Sequence, residues 1–282
     1  MIAGFTMTGI FQPVPKAEAV DAWAAAAQAL GVFGAYKSSL ASILAMGNNV
    51  NAQIQSRLQD DKENGLDFNK NDIKIIKYTD NNYPQKLNNI PNKPIVLYAK
   101  GNLKNINNES VAIVGSRMAS IYGKKNAYYF SYELAKRNVN IVSGLAKGID
   151  SYSHIGALKA KGKTIAVIGC GIDKIYPKEN EKLYHEILKN DGLIISEYIV
   201  GTRPERTNFP RRNRIISGIS DAIIVVEAGA KSGSLITANY AINQGKEVWA
   251  IPGNINLANS AGTNELIKDG ANVLTKLGDI IW

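Results

Sequence analysis

The sequence predicts an α/β protein, a doubly wound and mostly parallel sheet with a small helical segment before it. Two observations carry this prediction. From Ile73 onward, short apolar runs alternate with stretches of helical composition, the arrangement of a parallel sheet flanked by helices. Several of the runs, such as Ala222-Ile223-Ile224-Val225-Val226, are apolar at every position, as suits strands covered on both faces.

The elements follow in order. The first fifty residues hold twelve alanines and only four charged residues, whereas the remainder is rich in Asn, Lys and Ile, so the start reads as a separate module. Within it, Ala17 to Ala29 has strong helix formers after Pro13 and Pro15, and Ser38 to Met46 makes a second helical candidate before Gly47-Asn48-Asn49. Residues 1–63 are expected to be this Ala-rich helical segment, 64–72 a polar linker and 73–282 the α/β domain. Strands are expected at Lys74–Tyr78, Ile95–Lys100, Val111–Val114, Asn140–Val142, Thr164–Ile168, Leu193–Ser196, Ala222–Val226, Glu247–Ile251 and Asn272–Leu274. A helix should begin near Leu235, and the last helix, Asn264 to Asp269, is expected near a self-association surface.

Composition narrows the class of partner. The 282 residues carry 33 Lys and Arg against 24 Asp and Glu, a net charge of +9 that favours an anionic partner. One cysteine, Cys170, provides no disulfide framework and suits a reducing compartment. Neither a secretory start nor a long apolar span is evident, so the expectation is a soluble, cytoplasmic protein without a membrane partner.

In open α/β sheets ligands bind beyond the carboxyl ends of the strands. Those positions here are rich in Gly and Ser: Gly115-Ser116-Arg117, then Ser143-Gly144-Leu145-Ala146-Lys147-Gly148-Ile149-Asp150, then Gly169-Cys170-Gly171, then Glu227 to Ser234. Glycine lets the backbone approach an anion, and a helix N-terminus presents free N–H groups to phosphate. Ser232 and Ser234 are placed to cap the following helix or to donate to a phosphate. Neither a Gly-x-x-x-x-Gly-Lys-Ser/Thr loop nor a full dinucleotide fingerprint is present, so no NAD or ATP cofactor is expected. His154 and His185 lack partners at ligand spacing, so no metal is expected either. His154 reads as a structural residue at the start of a helix, and Cys170 as a small residue in a tight turn.

The most informative segment is Arg203 to Arg214. Five of the chain's eight arginines (Arg203, Arg206, Arg211, Arg212, Arg214) fall within these twelve residues, although lysine outnumbers arginine 25 to 8. The planar guanidinium binds phosphate through two bonds and stacks on bases. Phe209 interrupts the basic run, and an aromatic ring among arginines is the combination that a single strand needs, since it supplies a stacking face for an unpaired base.

The same residues resemble the DprA/Smf family of DNA-processing proteins over roughly residues 73 to 274. Five blocks carry the resemblance in order: Val111 to Arg117 with Tyr122-Gly123; Ser143 to Asp150; His154 to Leu158; Phe209 to Ile216; and Ser232 to Ala238. The resemblance implies an extended Rossmann-like fold, a homodimer, binding of single-stranded DNA, and assistance in loading a RecA-type recombinase during natural transformation. It points to Arg117, Arg206, Phe209 and the block Arg211, Arg212, Asn213 and Arg214 as DNA contacts. The Gly115-Ser116, Ser143-Gly144, Lys147-Gly148 and Ser232-Gly233-Ser234 loops would line the same pocket. Family members often carry a different helical N-terminal domain and a C-terminal winged-helix domain, whereas this chain begins with the Ala-rich segment and ends at Trp282.

The expected function is therefore binding rather than catalysis. Two other readings remain open from the residues alone. One is a hydrolase acting on a nucleotide or nucleoside monophosphate, with Glu227 or Asp150 as acid or base. The other is an interaction protein whose basic segment docks an acidic partner.

Overall fold

The computed structural model describes residues 72–280 and, before them, the helical positions Ala52, Gln55, Ser56 and Gln59. The two N-terminal helices expected from the sequence, and all of the linker except Asp72, lie outside the described residues. Residues 72–280 fall within one compact unit, Ser56–Trp282.

Nine strands form one sheet. They are β1 (Lys74–Lys77), β2 (Val96–Gly101), β3 (Ser110–Val114), β4 (Asn140–Ser143), β5 (Thr164–Ile168), β6 (Leu193–Ser196), β7 (Ala222–Val225), β8 (Glu247–Ala250) and β9 (Asn272–Val273). Their spatial order is β1-β2-β6-β5-β4-β3-β7-β8-β9. All nine expected strands are present: β5 and β6 have the expected ends, and no other strand end differs by more than one residue. The seven strands from β6 to β9 in that order are parallel, while β2 runs antiparallel to both β1 and β6. The antiparallel pair has a chemical cause: between β1 and β2 the chain makes only a 3-10 turn at Gln85–Leu87, with no helix to carry a parallel crossover.

Among the described residues, six α-helices cover the sheet: α1 (Ile121–Lys136), α2 (Ile149–Lys159), α3 (Glu181–Lys189), α4 (Asn208–Ile219), α5 (Gly233–Asn243) and α6 (Ala261–Lys268). One core joins Ala112, Val142 and Val167 of the sheet to Ile215 and Ile219 of α4, Ala238 of α5 and Leu266 of α6. The opposite core joins Val111, Ile113 and Ile141 to Phe130 and Leu134 of α1 and Ala157 of α2. Alternate residues of β3 thus enter opposite cores, which explains why Val111 to Val114 are all apolar. No described helix is long and apolar enough to cross a membrane.

His154 lies in the middle of α2, not at its start, and is fully buried. The Thr164 hydroxyl donates to the Ile141 carbonyl (2.7 Å), so it can only accept from His154 Nδ1 (2.6 Å). The ring is therefore the neutral Nδ1–H tautomer, with Nε2 buried and unpartnered. Burial lowers its pKa to about 3, with a smaller contribution from Arg212.

A cationic cleft at the switch point of the sheet

Strand order reverses between β3 and β7, which leave their helices on opposite faces, and this is the position where open α/β sheets bind ligands. A cleft of about 880 Å³ opens there. Its walls are the loop Gly115-Ser116-Arg117-Met118 after β3, the loop from Gly229 to Ser234 after β7, and the residues from Pro204 to Asn213 that lead into α4.

Arg117 hangs on a braced turn. The Ser116 amide donates to the Glu227 carbonyl (2.7 Å), tying the two loops together across the switch. Behind it, Gly148 holds φ +76°, and a Cβ there would come within 2.6 Å of the Arg117 carbonyl oxygen. Only glycine supports this close approach of two backbones. On the opposite wall Ser232 caps α5, its hydroxyl accepting from the Ser234 amide, and Asn213 Nδ2 donates to the Gly233 carbonyl (3.2 Å). Asn213 thereby joins the middle of α4 to the start of α5, and the α5 N-terminus with its free N–H groups faces the cleft.

Phe209 is the hub. Its half-buried ring packs on Gly169, where even a Cβ would come within 2.9 Å, and Tyr176 leans against it at 5.5 Å between centroids. Arg117 and Arg212 lie over the ring at 5.3 and 5.8 Å, at cation–π distance. Much of the ring surface is thus engaged by the protein itself. Tyr176, 41% exposed, is the aromatic side chain on this wall with the larger open surface.

The helix sorts the arginines of the Arg203–Arg214 segment. Thr207 precedes α4 as its N-cap, and Pro210 falls in the first turn, where a missing N–H costs nothing. At 100° per residue, Phe209 and Arg212 then share one side and Arg211 and Arg214 another. Arg212 is buried and donates Nη1 to the carbonyls of Gly144 (2.9 Å) and Val167, pinning α4 to the ends of β4 and β5. Burial lowers its pKa to about 10, opposed by the charge of Asp150. Asp150 is buried beneath it, accepting from the Gly144 (3.1 Å) and Ala146 (3.3 Å) amides, and burial raises its pKa while Arg212 opposes the rise. Arg214 points elsewhere: it pairs with Glu197 at 2.6 Å and donates to the Asn92 (2.8 Å) and Arg211 (2.8 Å) carbonyls.

Ten of the sixteen residues singled out from the sequence line this cleft: Gly115, Ser116, Arg117, Arg206, Phe209, Arg212, Asn213, Ser232, Gly233 and Ser234. The other six do not. Ser143 is buried with its hydroxyl on the Ile113 carbonyl (2.7 Å), Gly144 and Gly148 shape the floor from behind, Lys147 is ion-paired to Glu179, Arg211 is exposed outside the lining, and Arg214 is consumed by Glu197. Tyr176, Lys231, Thr237 and Asn259 line the cleft and were not singled out. Reading the strand-end loop of β5 seven residues beyond Gly169 would have reached Tyr176; Asn259 comes from a distant segment, and no local pattern marks it.

Glu227 is not in the lining. Its carboxylate accepts from the Ser120 amide (2.8 Å) and hydroxyl (2.6 Å) at the start of α1, the favourable place for a negative charge on a helix. The exposed cations of the cleft are Arg117, Arg206 and Lys231, with Arg212 in its floor; the one acid in the lining is the buried Asp150. Among the described residues, no three His, Cys, Asp or Glu converge as metal ligands.

The chain is similar to known proteins over the α/β domain. The profile of the family of DNA recombination-mediator protein A matches residues 74–282. The DNA processing protein DprA of Streptococcus pneumoniae is 46% identical over 202 residues, covering 72% of this chain and 71% of that protein. Protein Smf of Escherichia coli is 43% identical over 71% of this chain but only 53% of its own length, so the chain spans about half of that relative. Among solved structures, the pneumococcal DprA superposes with a TM-score of 0.70 at 44% identity, over 73% of this chain and 72% of that one. The DNA processing protein A of Helicobacter pylori, studied for its single-stranded DNA binding mode, superposes with a TM-score of 0.67 at 33% identity, over 73% of this chain and 93% of that one. With a family profile that spans most of its length and a shared fold, this chain belongs to the family of DNA recombination-mediator protein A.

Proposed function

We propose that the cleft binds single-stranded DNA, and that the protein is a binder rather than an enzyme. One observation carries the reading: three exposed cations, Arg117, Arg206 and Lys231, surround an aromatic pair, Phe209 and Tyr176, in front of the α5 N-terminus. Cations and helix N–H groups neutralise backbone phosphates, while recessed rings suit unpaired bases that a duplex keeps stacked. The single-strand binding of the Helicobacter relative supports the same reading. The two candidate acids of the hydrolase alternative are both engaged, Glu227 at the start of α1 and Asp150 under Arg212. Extending the family reading, the protein acts as a cytoplasmic homodimer that passes the strand to a RecA-type recombinase in recombination and natural transformation.

The test is an anisotropy titration with single- and double-stranded oligonucleotides at two salt concentrations. Tighter binding of the single strand is expected, and Arg117→Ala should weaken it and shallow the salt slope by about 0.7, one phosphate contact. Equal affinity for both forms, or no change in Arg117→Ala and Arg206→Ala, would refute the site. Recombinase transfer is read separately, as the rate of RecA-type filament assembly on single-stranded DNA with and without the protein.

A further inference from the structure

Among the described residues, a second group of cations without carboxylate partners, Lys124, Lys125 and Lys136, lies on the helix that leaves the cleft. Between Ile121 and Lys163 stand eight Lys and Arg against two acids, Glu133 and Asp150, and Asp150 is buried in the cleft floor. Helix α1 buries Ala127, Phe130 and Leu134 against the sheet. Its opposite side, at spacings of three and four residues, is Tyr122, Lys125, Tyr129, Tyr132 and Lys136.

Four of these side chains are presented outward, and Tyr132 is half-buried among them. Tyr122 and Tyr129 are 49% and 47% exposed, and Lys125 and Lys136 are exposed. Tyr132 stacks beside Tyr128 with centroids 5.9 Å apart and planes 13° from parallel, and Lys136 lies over its ring at 5.5 Å. Among the described residues, no carboxylate pairs with Lys124, Lys125 or Lys136. Cations interleaved with the exposed rings of Tyr122 and Tyr129 along one stripe match the backbone and unpaired bases of a single strand; a duplex would engage the lysines and leave the rings unused. The stripe is also continuous with the cleft: Met118 lines the cleft, Ser120 caps α1, and Tyr122 starts the stripe within its first turn. From Tyr122 to Lys136 it runs about 21 Å.

We infer that the Lys125–Tyr129–Tyr132–Lys136 stripe of α1 is a second single-strand contact, along which DNA continues after it leaves the cleft. The inference rests on the reading of the cleft as a single-strand site and lengthens its footprint.

The test uses the full chain with oligothymidylates of about six and about twenty nucleotides, lengths that bracket a one-site footprint. In the wild-type protein the longer oligonucleotide should bind more tightly. The surface variant K125E/K136E should keep its melting temperature and its affinity for the short oligonucleotide. Its salt slope on the long one should fall by about 1.4, two phosphate contacts. Tyr129→Ala should lose at least about fivefold on the long oligonucleotide only, the equivalent of one stacked base. Wild-type affinity independent of length, unchanged long-strand binding in K125E/K136E, or no effect of Tyr129→Ala would overturn the stripe while leaving the cleft in place. Absence of binding to either oligonucleotide would bring down the cleft reading and the stripe with it.

Discussion

Replacing Glu227 with Gln separates the structural from the catalytic meaning of this residue. The carboxylate is buried, accepts two hydrogen bonds from Ser120, and sits so close over the first turn of α1 that a Cβ at Gly123 would collide with it. The change removes a charge-assisted interaction of about 1.5–3 kcal/mol and a helix-terminus interaction of about 0.3–1 kcal/mol. It also turns an NH2 group toward a site built from donors. The sum is about 2–4 kcal/mol, which for a unit the size of Ser56–Trp282 lowers the melting temperature by roughly 5–12 °C. Thermal unfolding followed by circular dichroism measures this directly. At temperatures where the variant is folded, single-strand affinity should stay near wild type, because the Ser116 amide is held by the Glu227 backbone carbonyl and not by its side chain. A shift under about 1 °C would refute the capping argument. Release of nucleobase from nucleoside monophosphates by the wild type, lost in Glu227→Gln, would refute the reading of the protein as a binder.

Four further outcomes follow from the same geometry. Arg212→Ala should destabilise the fold by roughly 3 kcal/mol or more, because it removes two charge-assisted bonds to the Gly144 and Val167 carbonyls and the cation beside the buried Asp150; Arg117→Ala should lower DNA affinity with little change in melting temperature. His154 has its folded pKa near 3, below the usual 6.5, so burying it neutral contributes stability that is present near neutral pH and is lost as pH falls between those values. The loss by pH 5 is about 2 kcal/mol in urea titrations, and His154→Asn should flatten that slope. Gly169→Val should push Phe209 off its seat, costing about 1–3 kcal/mol of stability and weakening oligonucleotide binding in anisotropy.

The strands and their order along the chain were legible because buried parallel strands leave unbroken apolar runs, and β3 and β7 are apolar at nearly every position. The strand-end loops were legible for a similar local reason: Gly115, Gly148 and Ser232 mark places where a backbone must come close or a helix must begin. The sequence alone therefore determined the fold class, the rim of the site and the concentration of arginine around Phe209. Tertiary structure decided what each arginine does. Arg211, Arg212 and Arg214 stand almost adjacent in the chain, yet a helix turns 100° per residue, so one faces solvent, one pins the cleft floor and one closes an ion pair with Glu197. The strand order was equally invisible, since the pairing of β3 with β7 joins segments about 110 residues apart. That pairing creates the switch point and brings Lys231 and Asn259 to the same cleft as Arg117.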